Sequence, residues 1–327
     1  METIASPSLW IIFSVFVLGM LALDLGVFNR KAHEVRFKEA LGWSIVWVTL
    51  SLIFNAWIYH EFGAQKGLEF LTGYLIEKAL SVDNIFVFVI LFASFAVPKV
   101  YQHRVLFWGV LGAIIMRAIF IGLGAALISR FHWIMYVFGA ILIYTGIKLM
   151  AEGEAEPHPE KNPIYKVARR FFPAVPEYHG KAFMIVKDGK RYATPLLLVL
   201  FAIEATDVVF AVDSIPAIFA ITTDPFIVYT SNIFAILGLR AMYFLLAGII
   251  DKFHYLKYGL ALVLLFVGVK MIIAEWYKVP IGVSLGVVAA FLGLSVAASM
   301  MWPRHVEVEV EADALKDIQE NPDGKAD

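Results

Sequence analysis

The chain has 327 residues and a net charge of −1, and 60% of its residues are hydrophobic while only 17% are charged. Soluble domains carry about 25% charged residues, so the apolar surplus here calls for an apolar solvent, and the neutral balance gives no support to a nucleic-acid partner. Cysteine is absent, which excludes disulfides, thiolate metal sites and thiol redox chemistry by the chain itself. We therefore predict an all-α polytopic membrane protein.

Nine apolar stretches are long enough to cross a bilayer, which needs about 20 residues. The first stretch follows no basic segment and precedes no small-residue cleavage site, so we predict a retained helix and not a signal peptide. The nine stretches lie at about 9–28, 40–59, 68–96, 105–128, 133–150, 194–221, 226–250, 258–276 and 280–302.

These stretches divide the chain into four predicted parts. Residues 1–151 form an N-terminal membrane half with five spans, and residues 194–302 form a C-terminal half with four. Between them, the polar and proline-rich segment 152–193 is predicted to be a cytoplasmic loop with at most one short amphipathic element. The acidic tail 303–327 has too little hydrophobicity to fold alone, so we predict that it is disordered.

Basic residues indicate the orientation. The connection 29–38 and the loop 152–193 hold most of the lysines and arginines that lie between spans, and the positive-inside rule places both in the cytoplasm. Lys66, Arg130 and Lys278 are then left outside. The N-terminus is predicted to lie outside and the C-terminus in the cytoplasm.

The sequence also repeats itself. Residues 130–150 align with 252–272, and Arg117 and Arg240 occupy corresponding positions upstream. Each unit has three spans, and an odd number forces the second unit into the membrane upside down. Secondary transporters use such inverted repeats to place a substrate near the bilayer midplane. The identical pairs include Phe131/Phe253, His132/His254, Gly146/Gly268 and Lys148/Lys270.

Acidic residues lie within two of the spans, where they are costly. Segment 77–84 (EKALSVDN) corresponds to segment 207–214 (DVVFAVDS). An acid at a helix centre costs about 2.5–3.5 kcal/mol to insert, so five cost on the order of 12–18 kcal/mol without compensation. Ionisable residues at such depth indicate function. The five are Glu77, Asp83, Glu204, Asp207 and Asp213.

A structural explanation of these acids is that buried bases neutralise them. The candidate charge partners are Arg117, Arg240 and Lys78. Five acids against these three bases still leave an excess of about two negative charges. A divalent cation or two protons would neutralise that excess.

Helix geometry limits which acids can share one ion. Positions i and i+6, as in Glu77 and Asp83, differ by about 120° and about 9 Å along a straight helix, whereas Glu204 and Asp207 can share a face. Pro216 removes one helical amide. We therefore predict local unwinding at 81–84 and 212–216. The amide of Asn84 and the hydroxyl of Ser214 would then serve as neutral metal ligands.

Oxygen ligands constrain the ion and the mechanism. Carboxylate, amide and hydroxyl oxygens suit Mn²⁺, Mg²⁺ and Ca²⁺, whereas zinc and copper prefer histidine and cysteine. No cofactor motif or nucleotide-binding GxxxxGK[ST] motif is present, so we predict neither an enzyme nor an ATP-driven pump. Gly282 and Gly286 form a GxxxG in the last span, which favours close helix packing and can support a homo-oligomer.

The segments EKALSVDNIFVF (77–88) and EATDVVFAVDSIPA (204–217) resemble the TerC family of bacterial integral membrane proteins, most closely its Alx branch. The resemblance covers about residues 5–302. It implies a protein of the bacterial inner membrane that exports manganese(II) and uses the five acids of both motifs. The loop 152–193 and the tail 303–327 lie outside the motifs, so the resemblance implies no function for them.

Other functions stay open at this stage. The cargo could be Ca²⁺ or another cationic solute. A membrane scaffold or stress-response protein, linked to tellurium resistance or redox modulation, could carry the same acids without transport. The direction of transport rests on the resemblance alone, and exchange with protons is the simplest coupling because carboxylates bind either metal or protons.

Overall fold

The structure is a computed structural model of the full chain. The predicted disordered tail and most of the loop 152–193 lie outside the residues that the structure describes, as do His132 and His254. The described residues are 3–23, 37–131, 133–151, 175, 177–187, 189–247 and 255–302.

The described chain is a bundle of helices, and each of the nine predicted spans corresponds to a helix or, for the seventh, to a helix pair. By length and composition, seven described helices could cross a membrane when that pair is taken as one. The helices are α1 Pro7–Leu23, α2 Phe37–Phe62, α3 Ala64–Ser94, α4 Lys99–Arg130, α5 Ile134–Ala151, α6 Pro195–Phe219, α7 Pro225–Leu237, α8 Leu239–Leu246, α9 Leu256–Ile273 and α10 Ile281–Met301.

The predicted unwinding in the third and sixth spans is wrong. Helix α3 continues through 81–84, and α6 continues through 212–216 with Pro216 inside it. A proline removes one hydrogen bond from a helix but keeps a helical φ. The flanking residues Ile215 and Ala217 are buried against neighbouring helices, and this packing holds the turn. Unwound carbonyls therefore do not contribute to the site.

An interruption occurs instead in the seventh span, at Gly238 between α7 and α8. Lys78 from α3 donates a hydrogen bond from Nζ to the carbonyl oxygen of Ala235, at 3.2 Å. A Cβ atom at Gly238 would lie 2.6 Å from that Nζ, so glycine leaves room for the ammonium group. A cation at a helix C-terminus is favourable because the carbonyls there carry partial negative charge.

The repeat-related helices α5 and α9 pack directly on each other, and their contacts exchange in pairs. A Cβ at Gly139 would lie 3.0 Å from the carbonyl oxygen of Gly268, and one at Gly146 would lie 3.0 Å from that of Ala261. In the sequence alignment Gly139 corresponds to Ala261, and Gly146 corresponds to Gly268. A local two-fold relation between the two helices requires this exchange. The inverted relation of the complete three-span units stays a prediction.

The loop contains a β-hairpin that the sequence reading missed. Strands β1 (Met184–Lys187) and β2 (Lys190–Ala193) pair antiparallel. The hydroxyl of Thr194, at the start of α6, donates to the carbonyl of Ala182 at 2.7 Å, and that of Tyr178 donates to the carbonyl of Phe95 at 2.5 Å. The Asp-Gly dipeptide between the strands is a typical hairpin signal and could have revealed it. The segment before the hairpin thus contacts the end of α3, and the residues at the base of the hairpin contact the start of α6.

The GxxxG of the last span makes no close packing contact within the described chain. Cβ atoms added at Gly282 or Gly286 would meet nothing within 4 Å among its residues. The homo-oligomer that this motif can support stays a prediction.

Candidate functional site

Arg117 lies at the centre of a buried polar cluster. Its Nη1 donates to Glu77 Oε1, to Asn232 Oδ1 at 2.6 Å and to Ser214 Oγ at 3.2 Å, and its Nη2 donates to Asp207 Oδ1 at 3.2 Å. The amide of Asn232 also donates to Glu77 Oε2 at 3.3 Å. Four helices, α3, α4, α6 and α7, therefore meet at one guanidinium group.

Two of the predicted site acids are thus ion-paired. Arg117 has 1% of its side-chain surface exposed, Glu77 0% and Asp207 3%, and the fixed fork of arginine donors suits two carboxylates at once. The structural explanation of buried acids holds in part for this pair. Two carboxylates therefore share one guanidinium group, and the ammonium group of Lys78 also acts on Glu77.

A cavity of about 80 Å³ lies beside the cluster. A buried water needs about 10–15 Å³ by the same measure, so the cavity has room for several waters or a partly hydrated ion. Its polar wall is formed by Glu77, Asn84, Arg117, Thr145, Asp213 and Ser214, and its apolar wall by Leu80, Leu149, Phe210 and Leu264.

Of the two carboxylates in the cavity wall, Glu77 is ion-paired with Arg117, whereas Asp213 forms no ion pair with an arginine among the described residues. Thr145 on α5 donates a hydrogen bond from Oγ1 to Asp213 Oδ1 at 2.8 Å. Lys148, one turn further along α5, interacts with Asp213 electrostatically, although its own side chain is exposed. Sequence reasoning missed Thr145, because one threonine in an apolar span gives no signal of its own.

Several buried oxygens around the cluster have no hydrogen-bond partner among the described residues. They are Asn84 Oδ1, Ser81 Oγ and Asp207 Oδ2. Buried polar atoms are almost always satisfied in proteins, so each orphan needs an explanation such as a bound water or ion. Asn84, predicted as a ligand, directly borders the cavity.

The structure does not bring every predicted residue to the cavity. Glu204 is half-buried and packs against α4 at Gly112, where a Cβ would overlap its carboxylate. Asp83 belongs to α3, but its side chain lies outside the described part. Arg240 borders a different cavity with Glu39 and His103. Lys78 binds the α7 carbonyl described above.

No group of three or more histidine or acidic side chains is arranged to hold a metal among the described residues. Ligands for a cation in the cavity would thus combine few carboxylates with neutral oxygens and water.

Two further buried acids, Glu69 and Asp224, lie at the predicted external end of the spans, and the sequence did not indicate that they form a pair. Glu69 accepts hydrogen bonds from Gln65, Lys66 and Thr222. Asp224 caps the N-terminus of α7, where its carboxylate accepts a hydrogen bond from the backbone amide of Phe226 at 3.0 Å. These carboxylates stabilise the junction of α3, α6 and α7.

The apolar helices and the buried polar cluster define an integral, multi-pass membrane protein. The family model "Integral membrane protein TerC family" matches residues 62–307, so the chain belongs to the TerC family.

The relatives agree with this assignment. Membrane protein STKORF319 of Myxococcus xanthus is 56% identical over 97% of this chain and 100% of its own length. Proteins named "Putative membrane-bound redox modulator Alx" are 51% identical in Salmonella typhi (93% of this chain, 97% of theirs) and 52% identical in Escherichia coli K12 (89% and 94%). No solved structure matches the chain.

Proposed function

We propose that this protein is a secondary transporter that exports a divalent cation, most suitably Mn²⁺, through the cavity beside Arg117. The observation that carries the proposal is the wall of that cavity. It combines the carboxylate of Asp213 with the amide oxygen of Asn84, which has no partner in the described part of the chain. Both are hard oxygen donors of the kind that Mn²⁺ binds.

The charges of the cavity wall favour a cation as the bound solute. Within the cluster and the cavity wall, the three carboxylates of Glu77, Asp207 and Asp213 face one guanidinium group, that of Arg117. The ammonium groups of Lys78 and Lys148 act on Glu77 and Asp213 but do not line the cavity. A mobile positive charge in the cavity would be attracted to the carboxylates of its wall.

The choice of Mn²⁺ over Ca²⁺ and Mg²⁺ rests on the family resemblance, because all three bind oxygen ligands. Outward movement of a divalent cation against an inside-negative potential of 100 mV costs about 4.6 kcal/mol, at about 2.3 kcal/mol per charge. We propose that exchange with protons supplies this energy, since the carboxylates that bind the metal can also bind protons. The five motif acids Glu77, Asp83, Glu204, Asp207 and Asp213 take part, with Asn84 and Ser214 as neutral donors.

The proposal is tested by the manganese content of cells, measured by elemental analysis under manganese load. Cells with the Asp213→Asn or Asp83→Asn variant should retain manganese as a strain without the protein does, at unchanged expression in the membrane. Wild-type manganese content in both variants would exclude the role of these acids in export. Competition by Ca²⁺ and Mg²⁺ in the same assay separates the alternative cargoes.

The main alternative is a membrane scaffold or stress-response protein that modulates redox state without transport. The names of the relatives favour it, and so do the ion pairs of Glu77 and Asp207, which have a structural role. The absence of cysteine leaves the chain without thiols for redox chemistry of its own. A scaffold would work normally with Asp213→Asn, so the same experiment separates the two functions.

A further inference from the structure

Arg117 and Glu77 belong both to the buried ion-pair cluster and to the wall of the cavity. A cation in the cavity therefore faces a carboxylate that already holds a guanidinium group. The two positive charges are neighbours, and they share the same anionic partner.

The guanidinium group of Arg117 also lies between equivalent residues of the two repeat units. Glu77 and Asp207 are corresponding residues of the two repeat units, and Arg117 bridges them. Asn232 adds a fourth helix, α7, by bonding to both Arg117 and Glu77. The guanidinium thus occupies the point where a cation shared by both halves of the protein would bind.

We propose that Arg117 is a tethered substitute for the transported cation. It neutralises Glu77 and Asp207 when the cavity holds no metal, and an incoming divalent cation competes with it for Glu77. This inference rests on the proposed function. It assigns Arg117 a positioning role, because the arginine sets how tightly the carboxylates bind the metal and does not itself contact it.

The competition has a functional consequence. Without Arg117, the empty site would keep two buried carboxylates uncompensated and would hold a metal strongly. With Arg117, the repulsion between guanidinium and metal weakens binding, and the arginine re-forms its ion pairs as the metal leaves. Two charges a few ångströms apart in a protein interior interact strongly enough to change affinity about tenfold or more.

The test measures Mn²⁺ affinity by titration calorimetry on purified protein in detergent. The main variant is Arg117→Gln with Asp207→Asn, which removes one charge of each sign and leaves Glu77 free. Its net cluster charge equals that of the wild type, so it keeps the electrostatic balance needed for folding. We expect it to bind Mn²⁺ at least about tenfold more tightly than the wild type. Adding Glu77→Gln should abolish the gain.

If Arg117 has only a structural role, the Mn²⁺ affinity of the double variant should not rise. Loss of the arginine's contacts would then loosen the cluster, and the affinity would fall or stay at the wild-type value. That result would overturn the inference about Arg117 but not the proposed transport function. Absence of Mn²⁺ binding in the wild type as well as in the variants would overturn the proposed function with it. Melting of the double variant at the wild-type temperature confirms that the comparison is between folded proteins.

Discussion

Two groups of buried carboxylates in this protein differ in how their oxygens are satisfied. At the predicted outer end, all four carboxylate oxygens of Glu69 and Asp224 accept hydrogen bonds from described residues. In the central cluster, Asp207 Oδ2 and the neighbouring amide oxygen of Asn84 have no partner in the described chain. Burial is similar in both groups, so burial alone does not identify a transport site. The proposed cation site rests instead on the open oxygens and the adjacent cavity.

The largest expected effect belongs to the centre of the cluster. Arg117→Met leaves Glu77 and Asp207 buried without their cation, so we expect a loss of about 3–5 kcal/mol in the free energy of unfolding. Denaturant unfolding of the purified protein measures it. Neutralising both acids as well, with Glu77→Gln and Asp207→Asn, should recover most of the loss. If Arg117→Met alone were as stable as the wild type, the ion pairs of Arg117 would not contribute to the stability of the fold.

A smaller effect is expected away from both carboxylate groups, at the contact of α5 and α9. A Cβ at Gly268 would lie 2.8 Å from the carbonyl oxygen of Gly139, which the backbone cannot easily yield. Gly268→Ala should therefore cost about 1–3 kcal/mol, as overpacking does in other cores. Gly286→Ala is the matched control, because a Cβ there meets nothing in the described chain. Equal melting temperatures of the two variants would contradict the close contact.

The outer carboxylates should affect stability alone. Asp224→Ala removes the cap of α7 and the bonds to Thr3 and Ile4, and the loss of a cap costs about 0.5–2 kcal/mol. We expect a lower melting temperature and an unchanged manganese affinity. Altered manganese affinity in this variant would remove the distinction between the two groups.

The smallest effect concerns the orientation of Asp213. Thr145→Val keeps the shape of the side chain and removes one hydrogen bond to the carboxylate, worth about 1 kcal/mol. The apparent KM for Mn²⁺ in a transport assay should rise about fivefold, while the amount of protein in the membrane stays the same. An unchanged KM would mean that Thr145 does not position the carboxylate.

The sequence predicted the membrane class and the spans because these follow from long apolar stretches. It also named the acids and Arg117, since charges stand out against an apolar background. It could not predict which acid meets which base, because the approach of α3, α4, α6 and α7 depends on tertiary packing. Asn232 and Thr145 were missed for the same reason, as ordinary polar residues in spans give no sign of their partners.

The predicted unwinding failed for a different reason. The proline at 216 does remove a helical hydrogen bond, but the packing of α6 outweighs that local loss. The break at Gly238 was missed because it depends on Lys78, which is far away in the sequence. A local pattern cannot show an interruption that is stabilised by a residue from another helix.

The central claim is that the cavity carboxylates bind the transported cation and the outer carboxylates do not. Its most direct test is Mn²⁺ flux by purified protein in lipid vesicles, with Asp213→Asn compared with Glu69→Gln. Each variant neutralises one buried acid, but only the first changes the cavity wall. We predict that Asp213→Asn loses Mn²⁺ flux while remaining folded, and that Glu69→Gln transports at the wild-type rate with a lower melting temperature. Equal flux in the two variants would contradict the assignment of the cavity as the cation site.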